Sequence, residues 1–192
     1  MMNQLIEEVI LEHKVALKKF ERNSIDTVKE IARIIFECLQ GGATVYLCGN
    51  GGSAADCQHI AGEFVGRFRV ERKPLAAVVF CTDTSVITCI GNDYSFEDIF
   101  ARQAEALLKK GDILWAFSTS GNSANVLKAA QKARDKEAKI IAFTGRADSE
   151  LEKISDVCLC ADNANTSTSQ EVHMLAYHTI CSLIDFQYAG NK

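Results

Sequence analysis

The chain reads as an α/β protein: one domain with a five-stranded parallel sheet flanked by helices, doubly wound in the flavodoxin-like manner, preceded by an N-terminal helical hairpin. Three observations predict this. Short apolar runs rich in β-branched residues alternate with stretches of helical periodicity, the pattern of a parallel sheet covered on both faces. Turns rich in glycine or hydroxyl groups follow two of these runs, at the end of a doubly wound sheet where ligands collect. At 192 residues, 47% apolar and 24% charged, the chain suits a single domain (1–192) with a sizeable core, and it has no linker, repeat or low-complexity stretch.

Taken in order, apolar residues recur at three and four over 4–22 (Leu5, Val9, Ala16, Phe20) and 24–40 (Ile31, Ile34, Ile35, Cys38), with Gly41-Gly42 as a stop. An α/β unit closes its sheet without such a pair, so the apolar face of residues 1–40 is expected to meet another subunit. Residues 44–48 form the first strand and 53–68 its helix. Leu75 to Phe80, entered through the only proline, Pro74, reads as a second strand. A helical stretch starting at 81–85 is expected to break at Gly91-Asn92-Asp93, and another helix to run over 96–109. Strands are expected at 113–117, 140–143 and 156–160, with a helix over 124–136. A polar segment, 162–169, leads into a last helix, where Ser167 and Thr168 each stand three before Gln170 and Glu171, the spacing of a capping box.

Composition narrows the function. A net charge of −4 and an isoelectric point near 5.6 leave no basic footprint for nucleic acid. The first residues carry acids where a signal peptide needs an apolar core, and no run is long and apolar enough to span a bilayer, which places the protein in the cytoplasm with no membrane partner. The eight cysteines are scattered without Cys-x-x-Cys pairing, as small buried thiols rather than disulfides or a metal cluster.

Two turns carry chemistry. Cys48-Gly49-Asn50-Gly51-Gly52-Ser53 joins a strand to a helix start, whose free N–H groups and positive dipole end suit an anion, although neither the Gly-Lys-Ser/Thr nor the G-x-G-x-x-G phosphate loop is present. A tight turn without a ligand fits this segment as well. Ser118-Thr119-Ser120-Gly121-Asn122-Ser123 is stronger: four hydroxyls in six residues before a helix exceed what a cap needs and can hold a phosphate without Lys or Arg. Both turns follow strands of one sheet and can share a crevice. On the helix after the first turn, His59 and Glu63 are four apart and share a face, as an ion pair, a core histidine or two ligands. The apolar neighbours of Glu63 suit a base. On the last helix Gln170 and His178 are nearly on one face but ~12 Å apart along it, whereas His173 points away and is read as structural or exposed.

The motifs Gly49-Asn50-Gly51-Gly52-Ser53-Ala54-Ala55-Asp56, Gln58-His59, Thr82-Asp83-Thr84-Ser85, Gly91-Asn92-Asp93, 118–123 and Gln170-Glu171-Val172-His173 occur in this order over nearly the whole chain. In this the chain resembles the sedoheptulose 7-phosphate isomerases of the sugar isomerase (SIS) superfamily, which implies a single SIS domain. The resemblance implies an aldose-ketose isomerase that converts sedoheptulose 7-phosphate to D-glycero-D-manno-heptose 7-phosphate through an enediol, towards ADP- or GDP-heptose and bacterial surface polysaccharides, without a nucleotide or redox cofactor. By that similarity Ser53, Ser118, Thr119, Ser120 and Ser123 hold the phosphate. Asn50 and Asp93 meet the sugar, and Gly51, Gly52 and Gln170 complete the substrate site. Glu63 acts as base and His178 as acid/base. Some members bind one zinc ion per subunit through residues matching His59, Glu63, Gln170 and His178, and the family forms homotetramers with active sites at subunit interfaces. Thr168 stands where the family usually has arginine. A non-catalytic SIS protein that binds sugar phosphates or regulates replication initiation is the alternative, and the pair Glu63 and His178 speaks against it.

Overall fold

The computed structural model describes residues 1–163 and 165–190; the sequence-based readings that include Ala164, Asn191 and Lys192 extend outside the described residues at those positions. Five parallel strands, β1 (Val45–Gly49), β2 (Ala77–Val79), β3 (Ile113–Ser118), β4 (Lys139–Thr144) and β5 (Val157–Cys160), lie in the order β2-β1-β3-β4-β5. Among the described residues eight α-helices accompany them: α1 (Met2–Asn23), α2 (Ile25–Gln40), α3 (Gly52–Val65), α4 (Thr84–Asp93), α5 (Ala101–Leu107), α6 (Ala124–Asp135), α7 (Glu150–Ile154) and α8 (Thr166–Gly190). Alternation along the strands separates two cores. Ile113, Trp115 and Phe117 face α2, α3 and α8, while Leu114 and Ala116 face the layer of α4 to α7. The sheet is thus covered on both sides, as the apolar runs predict.

The strand register places the chemistry. Gly49 pairs with Phe117 and Ser118 with Thr144, so the turns leaving β1, β3 and β4 emerge side by side at the carboxyl edge of the sheet. The helices α1 and α2 are joined through Ser24 alone, and α1 packs on the rest of the chain through Ala16 and Phe20 against Ala161 and Val172.

Several expected boundaries move, each for a visible reason. The second strand shrinks to Ala77–Val79 because the Leu75 N–H bonds to Phe64 O rather than to the sheet. The helix expected to reach residue 68 stops at Val65, where the chain turns at Gly66. Gly91-Asn92-Asp93 is not a break but the last turn of α4, and the helix expected over 96–109 divides into a 3₁₀ turn (Phe96–Asp98) and α5. Neither capping-box spacing is used. The α8 helix begins earlier, and the Asn165 side chain accepts from the Ser167 N–H at 3.1 Å, which leaves Ser167 and Thr168 inside the first turn. The α7 helix has no counterpart in the sequence reading. All eight cysteines are free; Cys48, Cys57 and Cys181 are buried, but Cys89 is exposed on α4, against the expectation of a buried thiol.

Candidate active site

The hydroxyl loop is held by its own hydrogen bonds. Ser118, buried at the end of β3, donates to Ser123 Oγ at 3.0 Å and lies 3.3 Å from Ser120 Oγ, and Ser120 Oγ accepts the Asn122 N–H at 3.1 Å. Three hydroxyls therefore converge at the start of α6, where backbone N–H groups are also free to meet an anion. Thr119 is held from behind, its carbonyl accepting the Gly145 N–H at 2.9 Å. Gly121 sits at φ +67°, and a Cβ there would lie 2.2 Å from Ser149 Cβ, so the turn admits only glycine.

The glycine turn is buckled to this loop. Asn50 and Asn125 exchange reciprocal amide hydrogen bonds at 2.9 and 2.8 Å. Each amide still keeps a second N–H, while Asn125 Oδ1 also accepts the Val126 N–H at 3.0 Å. Asn125 escaped the sequence reading, although its place two residues beyond the last serine of the loop was the available signal. Ser53 is buried, its N–H bonded to Asn50 O at 3.0 Å, and Gly51 and Gly52 lie exposed above it.

The proton-transfer residues come together from α3 and α8. His59 Nε2 lies 3.1 Å from Glu63 Oε1, the His59 and His178 rings meet edge to face at 4.9 Å, and ligand atoms of His59, Glu63 and His178 all fall within 4.8 Å of one another. Phe68 stacks on His178 with ring centroids 5.5 Å apart, a contact made possible by the early end of α3. Burial, with the neighbouring His59, pushes the His178 pKa below its ordinary value, so the ring is neutral at neutral pH.

The remaining residues are placed differently. The Gln170 amide lies against Gly52, where a Cβ would come within 2.3 Å of its Oε1. It stands a turn nearer the start of α3 than the cluster of His59, Glu63 and His178, in keeping with the distance along α8. Asp93 is exposed at the end of α4, where its carboxylate accepts from the Asn92 amide and the Cys89 thiol. His173 is fully buried, with Nε2 3.0 Å from Thr144 O, and burial lowers its pKa to about 4. Of the two options read from sequence, it is the structural one. Thr168 hydrogen-bonds Glu12 Oε1 on α1 at 3.1 Å. Two further residues stand behind the cluster: Asp56, present in the sequence reading only as the end of the Gly49–Asp56 motif and given no role, and Tyr177, which had no signal in the sequence.

A hydroxyl-lined loop on the carboxyl edge of a five-stranded parallel sheet is the arrangement of a SIS domain protein, and the family model "SIS domain" matches residues 11–145. Curated relatives narrow the class. A phosphoheptose isomerase of Helicobacter pylori (strain P12) is 43% identical over 189 residues, 98% of each chain, and one of Methylibium petroleiphilum is 46% identical over 168 residues, 86% of this chain and 84% of the relative. Among solved structures, phosphoheptose isomerase GmhA from Neisseria gonorrhoeae superposes with a TM-score of 0.91 at 37% identity, covering 96% of this chain and 99% of that one. The chain belongs to the phosphoheptose isomerase family and is an isomerase.

Proposed function

We propose that the protein interconverts sedoheptulose 7-phosphate and D-glycero-D-manno-heptose 7-phosphate. The observation that carries this reading is the meeting of Glu63 and His178, from α3 and α8, with ligand atoms within 4.8 Å of each other and of His59. The phosphate lies in the cradle of Ser118, Thr119, Ser120 and Ser123, with Ser53 assisting. Asn50 meets the sugar through its spare N–H, and Gly51, Gly52 and Gln170 form the adjoining wall. Asp93, on the exposed end of α4, acts on a sugar bound across a subunit boundary.

The reaction moves a carbonyl from C2 to C1 without a redox cofactor. Glu63 takes a proton from C1, the enediol forms, and a proton returns to C2; His178, neutral at rest, carries the proton between O2 and O1. His59, Glu63 and His178 offer two imidazole nitrogens and a carboxylate, a donor set that suits zinc while leaving a coordination position open. When bound, zinc polarises a carbonyl as a Lewis acid.

The exposed apolar residues of α1, among them Leu5, Ile6, Val9 and Ile10, support a homotetramer in which this helix is covered. The described residues include no helix long and apolar enough to cross a membrane, and the free cysteines favour a reducing compartment, which supports the cytoplasm. Incubating the protein with sedoheptulose 7-phosphate and following aldose 7-phosphate tests the reaction, and the Glu63→Gln variant, which keeps shape but not basicity, tests the assignment of the base.

A further inference from the structure

Behind the cluster a line of hydrogen-bonding groups runs into the core. Asp56, 2% exposed on the first turns of α3, and Tyr177, 0% exposed on α8, take no part in the sugar chemistry described above. The Tyr177 hydroxyl lies 3.4 Å from Asp56 Oδ1 and 3.0 Å from His59 Nδ1, while His59 Nε2 faces Glu63 Oε1 at 3.1 Å. From Asp56 to Glu63 there are thus three gaps. A neutral imidazole and a phenol supply only two protons for them, because ionised carboxylates donate none.

Two arrangements keep the His59–Tyr177 gap filled. In one, Nε2–H donates to Glu63 and the Tyr177 hydroxyl donates to Nδ1, leaving Asp56 without the phenol. In the other, Nδ1–H donates to the Tyr177 oxygen and the hydroxyl turns to Asp56, leaving Nε2 bare. Only the second is compatible with a cation on Nε2, and it needs Asp56 as its last acceptor. Passing from one to the other moves the histidine proton from Nε2 to Nδ1 through solvent and rotates the phenol O–H, with no net gain or loss of protons.

We infer that Tyr177 and Asp56 are positioning residues for His59: they give its Nδ1–H a buried acceptor, so that Nε2 presents a free lone pair to a divalent cation shared with Glu63 and His178. The inference rests on the reading of those three residues as metal ligands. Outer hydrogen bonds of this kind set ring orientation and ligand basicity, and their loss weakens metal binding by about 10- to 100-fold.

The test is the Zn²⁺ dissociation constant of the full chain at one pH, measured by competition with a chromophoric chelator. Tyr177→Phe removes the hydroxyl and keeps the ring, and the expected result is binding weakened by about 10- to 100-fold. A purely structural role for the hydroxyl would lower the unfolding temperature of the metal-free protein and leave the dissociation constant alone. Asp56→Asn keeps an acceptor but loses the charge, so it is expected to weaken binding by a smaller factor; it carries the test if Tyr177→Phe does not fold. Unchanged Zn²⁺ affinity in the folded variants overturns the inference while sparing the metal reading. A wild-type protein that takes up no Zn²⁺ overturns both.

Discussion

His178 and Glu63 reach one another because of what surrounds them. Phe68 covers one face of His178, and Tyr177 and His59 stand edge-on to it at 4.7 and 4.9 Å. Replacing Glu63 by Gln keeps the shape and removes the base, so turnover is expected to fall by about 10²- to 10⁴-fold while sugar phosphate still binds; calorimetric titration beside the kinetic assay checks both halves. His173 makes a prediction about stability. Its folded pKa, about 4, lies below the ordinary 6.5, so as the pH falls through this window the unfolded chain takes up the proton first. Stability is complete above the upper value and is lost downwards, by about 3 kcal/mol at the acid end. Urea unfolding of wild type and His173→Gln at several pH values checks this, and equal acid slopes for the two would contradict it. Single residues were legible where their chemistry was crowded, as with the four hydroxyls of 118–123. Asp56, Tyr177 and Asn125 were not, because one buried polar residue looks the same in sequence whether it meets solvent, a cap or a partner 121 positions away.

Among the elements, the inner strands β1, β3 and β4 were easy to place because they are largely buried apolar runs, and the ends of helices were not. The last turn of α4 contains Gly91 and Asn92, residues that favour turns, yet burial of Ile90 and the packing of Ile99 and Phe100 hold the helix to Asp93. The chain after α3 is fixed by a buried ion pair. Arg72 Nε lies 2.7 Å from Asp185 Oδ1, with the side chains only 4% and 3% exposed, and the same guanidinium donates to the carbonyls of Glu63 and Phe64 at 2.7 and 2.9 Å. Arg72→Met leaves the buried Asp185 carboxylate without its cation, held only by the Arg69 and Val70 N–H groups at 2.7 and 3.1 Å, and is expected to cost about 3 kcal/mol by denaturant unfolding; a loss below about 1 kcal/mol, on the order of an exposed pair, would contradict that account. In the hydroxyl loop, Gly121→Ala forces a Cβ against Ser149 at positive φ. A strain of about 1 to 3 kcal/mol is expected there, read as a raised KM for sugar phosphate with a smaller change in kcat.

For the whole molecule, the sheet order and the two-sided cover follow from the alternation of runs and helices, and the register then brings the separate turns to one edge. The apolar face of residues 1–40 was expected to meet another subunit, but that of α2 instead covers the sheet through Val28, Ile31 and Ile35, since an apolar helical face reads alike whether it covers a sheet or a second copy. In this chain Leu5, Ile6, Val9 and Ile10 are exposed while Ala16 is buried, so the first half of α1 presents an apolar face to solvent. Ile6→Glu together with Val9→Glu is expected to convert a tetramer to smaller species in sedimentation velocity, and wild-type protein that sediments as a monomer would remove the assembly. The central claim concerns the proton taken from carbon. Incubation of the protein with sedoheptulose 7-phosphate in D₂O, followed by NMR, should give aldose 7-phosphate carrying deuterium at the exchanging carbon, and Glu63→Gln should bind the sugar without either change. Wild-type protein that binds the sugar and yields neither product nor deuterium would contradict the account.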